Sequence, residues 1–211
     1  LFIRSDRRQS DSLEPAITPG YMILASPLLY GKEAFFTGGT ALDFARPVRG
    51  DVVLVEPPYH IGTPFIQRLV AHVSGFFSLG YWKPRFSGAT EKTWERSLVV
   101  RRVIALPGDQ IYGNDGVFYV KAKGKSEFQS EFAASGKKYS LKQPKDAIRD
   151  PGMVFSAEMP LLVVPDGSWF VAADNRQHSL DSRHWGPVSA NAFRGVVMLG
   201  YWPFNRIGWI H

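Results

Sequence analysis

The chain contains no cysteine, which excludes disulfide cross-links, zinc–thiolate centres and cysteine nucleophiles. It has no run of about 18 or more apolar residues, so no segment of it reads as a bilayer-spanning helix. Internal repeats and low-complexity tracts are missing. So are nucleic-acid motifs and any regular alternation of aromatic with basic residues, which sets nucleic acid aside as a partner. What remains is a folding sequence. Its 211 residues are 45% hydrophobic and 14% aromatic, enough for a sizeable core. The net charge of +6 suits an anionic surface. Part of that excess lies in residues 121–149, where "KAKGK", "GKK" and "LKQPK" read as solvated charge.

Fifteen prolines and 20 glycines, spaced by short Val/Ile/Leu/Phe runs, favour strands joined by turns. Strand-like segments occur at 21–29, 51–56, 97–106, 116–122, 161–165, 168–173 and 193–202, each rich in β-branched and aromatic residues. Turns such as "RGD" (49–51), "PGD" (107–109), "GNDG" (113–116) and "PDGS" (165–168) punctuate them. The expected fold is mostly β: an antiparallel core over 1–120 and 161–211, interrupted at about 57–97, with a smaller loop-rich β subdomain inserted at 121–160 and few short helices. One segment departs from this pattern. Phe65, Ile66, Leu69, Val70, Val73 and Phe77 recur at helical spacing, for a helix that packs on the sheet or lies in a membrane interface. The opening "LFIR", without an initiator methionine, reads as the end of a removed anchor followed by basic residues.

Chemistry-bearing residues come in blocks. "RGDVVLVEPP" (49–58) is a turn into a buried strand, and "VVRRVIALPGDQI" (99–111) is a strand ending in a tight turn. "VPDGSWFVAADNRQHSLDSRHWGPV" (164–188) gathers Asp174, Asn175, Arg176, Ser179, Asp181, Ser182 and Arg183. So many hydrogen-bonding side chains at one strand end point to a buried polar network. Near the start, Ser10 and Ser12 sit in "SDSLEPA", which on local grounds is ordinary turn chemistry.

Together these blocks resemble type I signal peptidases, membrane-anchored serine proteases that cleave signal peptides from exported proteins. The third block is similar to that family's "GDNRxxSxDSRxWG" box, the second to "KRVIGLPGD", the ending "YWPFNRIG" to its C-terminus, and "SDSLEPA" to "SGSMxPT". The resemblance implies that Ser12 is the nucleophile, with the Ser10 hydroxyl and the Ser12 backbone N–H as oxyanion donors. Ser179 would orient the general base, and Asp181 and Arg183 would hold the site together. Substrate would lie extended beside the strand containing Val99 and Val100, adding to the sheet edge. Pockets near Leu13, Ile17, Val99 and Val100 would admit only small side chains one and three positions before the cut, an Ala-x-Ala type site. No metal and no cofactor is implied.

Departures cluster in the same boxes. Arg101 stands at the position of the family's general-base lysine. A guanidinium, with a pKa of roughly 12.5–13.8, stays charged at neutral pH and is no substitute for an unprotonated amine. An ion pair of Arg101 with Asp11 or Asp181 fits the change. Asp11 and Ala173 replace glycines, Leu13 a methionine and Ala16 a threonine. His178, an imidazole inside the third block, does not occupy the lysine position.

Two functions follow from the resemblance: a signal-peptide-cleaving endopeptidase, or a degenerate homologue that binds signal peptides or exported tails without cutting. Its partners would be signal peptides of exported preproteins and a membrane lipid surface, met by Phe76, Phe77, Tyr81 and Trp82. The catalytic domain would sit on the outer, periplasmic face of the cytoplasmic membrane, held by a helix outside this sequence. A third idea, a basic surface-binding domain, rests on Lys121, Lys123 and Lys125 alone.

Overall fold

The computed structural model describes residues 4–7, 12–18, 22–26, 46–58, 98–142, 158–176, 179–204 and 207–210. Ser10, Asp11, His178, the helix read at 64–77 and the aromatic residues at 76–82 lie outside them. Residues 1–57 and 99–211 form one compact unit, and Pro58–Leu98 form another.

The first unit holds two antiparallel sheets. The larger runs β1 (Arg4–Arg7), β2 (Met22–Ser26), β11 (Phe193–Trp202), β3 (Val52–Val55), β4 (Val99–Ala105), β9 (Ser168–Ala172), β10 (Val188–Ser189), with β12 (Gly208–Trp209) also on β11. β3 reads "VVLV" and is buried along its whole length, as a strand covered on both faces must be. The smaller sheet is β7 (Gln129–Ser130), β6 (Val117–Lys121), β5 (Gln110–Asn114) and β8 (Met159–Val163). β5 and β6 are joined by Asp115-Gly116, both at positive φ (49° and 73°), the two-residue turn whose twist matches a hairpin. Pro160, which has no N–H to give a ladder, sits on the edge strand β8. Helices are few and short: α1 (Glu131–Ser135), α2 (Ser182–Trp185) and a single 3₁₀ turn at Ala190–Ala192. The fold is therefore mostly antiparallel β with few short helices.

The smaller sheet starts at Gln110, earlier than the 121–160 subdomain expected from composition. β5 was hidden because Gly113 and Asn114 dilute its apolar signal. Gly113 has a packing reason: a Cβ there would meet the Met159 Cβ at 3.1 Å. The two sheets share a core, in which Ile104, Ala105, Phe170 and Ala172 of the larger pack with Ile111, Phe118 and Val120 of the smaller. A second cluster of Val53, Val55, Val103, Trp169, Val171, Val188 and Phe193 fills the larger sheet's own interior.

Candidate active site

Ser12 opens a tight turn, closed by the Ile17 N–H donating to the Leu13 carbonyl at 2.8 Å. Leu13 and Ile17 point inward and are buried, so the turn is moored by apolar burial on one side. On the other it is moored by the Asn175 N–H, which donates to the Ser12 carbonyl at 3.0 Å. Ser12 itself is only 6% exposed. Glu14, on the same turn, takes a hydrogen bond from Lys142 Nζ at 2.5 Å. The Lys142 backbone lies along the same stretch: its N–H donates to the Asp174 carbonyl and its carbonyl accepts from the Arg176 N–H.

β4 carries Val99, Val100 and Arg101. Val99 pairs with Val55, Val100 with Leu54 and Arg101 with Val53. Arg101 is buried, with its guanidinium donating to the Leu180 carbonyl through Nε (3.0 Å) and Nη2 (2.5 Å) and to the Val100 carbonyl through Nη1 (2.6 Å). It lies 5.8 Å from the Trp185 ring.

The third block folds back on itself after β9. Asp181 caps α2, its Oδ1 accepting from the Arg183 N–H at 3.0 Å. Its carboxylate also takes the Ala173 N–H (3.0 Å) and a two-pronged contact from Arg183, Nε at 2.9 Å and Nη2 at 3.0 Å. The ion pair expected between Arg101 and Asp181 is therefore not the one formed. Arg183 is closer along the chain and satisfies both carboxylate oxygens, while Arg101 donates to the Val100 and Leu180 carbonyls; the other expected partner, Asp11, lies outside the described residues. Burial alone would raise the Asp181 carboxyl, but the charge of Arg183 and the hydrogen bonds from Arg183 and Ala173 outweigh it and hold it well below the usual carboxylate range. Arg183 Nη1 also donates to the Arg176 carbonyl at 3.0 Å. The Ser179 hydroxyl, by contrast, is buried with no hydrogen-bond partner among the described residues. A buried hydroxyl left so is costly.

Behind these residues lies the buried polar network expected of the third block, joined by Arg102, Glu131 and Tyr139, which sequence reasoning did not place in it. Arg102 clasps Asp174 with both prongs (2.9 and 2.7 Å), donates to the Gly50 carbonyl and stacks 3.9 Å over the Tyr139 ring. Arg176 donates to Glu131 Oε2 (2.6 Å) and to the carbonyls of Ala173 and Gly116. The Tyr139 hydroxyl donates to Glu131 as well, at 2.8 Å. Burial, reinforced by the Glu131 carboxylate, pushes that hydroxyl far above the ordinary phenol range. The "RR" pair was visible in the sequence, but the second arginine carried no signal of its partner 72 residues away.

Ser12, Arg101, Ser179, Asp181 and Arg183 thus converge on the segment from Ala173 to Arg183. Val99 and Val100 adjoin them on β4, and Leu13 and Ile17 are the buried residues of Ser12's own turn. No cluster of His, Asp or Glu suited to a metal ion occurs among the described residues. No helix among them is long and apolar enough to cross a membrane.

Residues 84–202 match the family described as "Signal peptidase, peptidase S26", a span that takes in Arg101, Ser179, Asp181 and Arg183. A signal peptidase I of Bacillus licheniformis is 32% identical over 51% of this chain and 53% of its own length. One from Bacillus caldolyticus is 34% identical over 51% and 55%. That of Buchnera aphidicola is 25% identical over 96% of the chain and 74% of the relative. A solved signal peptidase I from Enterococcus faecalis aligns over 72% of the chain and 97% of its own at 22% identity, with a TM-score of 0.35. The chain spans about half the length of the Bacillus relatives it matches. With more than half of its residues inside the family match, the chain belongs to the signal peptidase, peptidase S26 family.

Proposed function

We propose that the chain carries the catalytic domain of a signal peptidase I-type serine endopeptidase. It acts on signal peptides of exported preproteins at a membrane surface, cutting after a small residue. Ser12 is the nucleophile, with its own N–H and the Ser10 hydroxyl as donors to the developing oxyanion. The observation that carries this reading is the convergence of Ser12, the lysine position and the "DSR" residues on one buried segment, with the Ser179 hydroxyl unmet beside it. Trp202, Phe204, Ile207 and Trp209 are exposed together at the end of the larger sheet, with the Trp202 and Phe204 rings 4.6 Å apart. Such a cluster suits the headgroup boundary of a lipid surface.

The specific observation favouring the non-cleaving alternative is Arg101. Its guanidinium is a permanent donor, already bonded to two carbonyls, and has no lone pair for the serine proton. The two readings separate in one assay, a fluorogenic peptide with an Ala-x-Ala site presented in detergent or lipid. Slow turnover abolished by Ser12→Ala supports the enzyme. Arg101→Lys is expected to raise turnover about 10²-fold or more, the usual contribution of a positioned base. Absence of cleavage in both would leave the binding module standing, provided the uncut peptide binds.

A further inference from the structure

Arg101 does more than fail as a base. Along a strand, successive residues turn their N–H and C=O to opposite sides. Val103 turns both towards β3, its N–H donating to the Asp51 carbonyl (2.9 Å) and its carbonyl accepting from the Gly50 N–H (2.8 Å). Alternation then turns Arg101 to the β3 side, and Val100 and Arg102 to the other. On that other side β9 pairs with Arg102, Val103 and Ala105 and ends at Ala172. No described strand pairs with Val99 or Val100 there. The Val100 carbonyl is therefore the acceptor with which an added strand would begin, and Arg101 Nη1 donates to it at 2.6 Å. The same guanidinium reaches to the Leu180 carbonyl, so one side chain spans from the edge of β4 that no described strand pairs with to the loop before α2.

We infer that Arg101 is a bar across the substrate groove, withholding the Val100 carbonyl from an extended peptide and tying the groove's two walls together. The inference rests on the reading that substrate adds as a strand beside Val99 and Val100. A peptide N–H approaching Val100 meets a charge-assisted donor already on that carbonyl, and taking its place costs Arg101 Nη1 that hydrogen bond. A lysine would not bar the groove in this way. Its ammonium is a point donor on a flexible stem, without the planar fork that meets two carbonyls at once. The substitution therefore has two separable consequences: it removes the base, and it closes the edge.

The test measures binding and cleavage separately, by fluorescence anisotropy and by product analysis, with a fluorescein-labelled peptide containing one Ala-Gln-Ala site. Arg101→Ala removes the bar without supplying a base. It is expected to bind the peptide about tenfold more tightly than the parent chain, the ratio a single withheld charge-assisted hydrogen bond amounts to, and to leave it uncut. Arg101→Met, which keeps the aliphatic stem but no donor, should behave alike and stands in if the alanine variant melts early. Equal or weaker binding by both variants overturns the bar. Tight binding by Arg101→Ala with no cleavage by Arg101→Lys supports the bar and counts against the peptidase reading. Cleavage by Arg101→Lys without tighter binding by Arg101→Ala does the reverse.

Discussion

Replacing Asp174 by Asn tests whether the buried ionic cluster holds the two sheets together. Arg102 and Asp174 are both fully buried, and the carboxylate meets the guanidinium with two short hydrogen bonds. Removing one partner of such a pair leaves an uncompensated charge out of reach of water, at a cost of about 3–5 kcal/mol. The Gly50 carbonyl and the Tyr139 ring, which also meet Arg102, are neutral and do not replace the lost charge. Total stability is of order 5–15 kcal/mol, so the loss is a large share of it. For a chain of this size about 1 kcal/mol moves the melting point by roughly 2–4 °C, giving a fall of about 6–20 °C. Circular dichroism melts at pH 7 read it directly, with urea titration as a second measure. Lys123→Ala is the contrast, because the Lys123–Asp166 pair is 71% and 85% exposed and should leave the melt unchanged. Exchanging Arg102 and Asp174 together for Met and Leu should recover much of the loss, since no lone charge then remains. A melting point for Asp174→Asn within about 2 °C of the parent would refute the reasoning.

Three further outcomes are expected. The Asp181 carboxyl is held low in the fold, so the stability it contributes is complete above the ordinary carboxylate value of about 3.9 and is lost as pH falls through its folded value. Urea midpoints measured downward from pH 7 should therefore drop less steeply below about pH 4 in Asp181→Asn than in the parent. The Tyr139 hydroxyl is held high, so its contribution is complete below the ordinary phenol value of about 10 and is lost as pH rises beyond it; Tyr139→Phe should flatten that alkaline limb in the same titration. The Lys142–Glu14 contact should slow hydrogen exchange of residues 12–18. Lys142→Glu should speed that exchange several-fold, the pair Lys142→Glu with Glu14→Lys should restore it, and about 1 M salt should mimic the single change.

The fold was legible where burial is continuous. "VVLV", "SWFVAA" and "FRGVVMLGYW" announce β3, β9 and β11 because strands covered by neighbours need apolar, β-branched residues throughout. β5 was not legible, since its Gly113 answers to a close approach by β8 that no local pattern encodes. The site was legible only through its boxes. Asp181 and Arg183 sit two residues apart, so their contact follows from local spacing. Glu131, Tyr139 and Lys142 lie in a stretch whose lysines read as solvated charge. Yet Tyr139 and Glu131 serve the Arg102–Arg176 cluster, and Lys142 reaches Glu14 across 128 positions. Pairings over such separations are decided by how the sheets close, which hydrophobic patterning does not specify. Ser10 and His178 lie outside the described residues.

Arg176 binds the Ala173 carbonyl just past β9, the Gly116 carbonyl at the tip of the β5–β6 hairpin, and Glu131 at the head of α1. The smaller sheet is therefore no detachable ornament. Excising residues 110–163 would take two of these three partners from Arg176, one residue from the Asn175 that steadies Ser12, and would uncover Ile104, Phe170 and Ala172. Anyone transplanting the larger sheet onto another carrier has to bring its companion along.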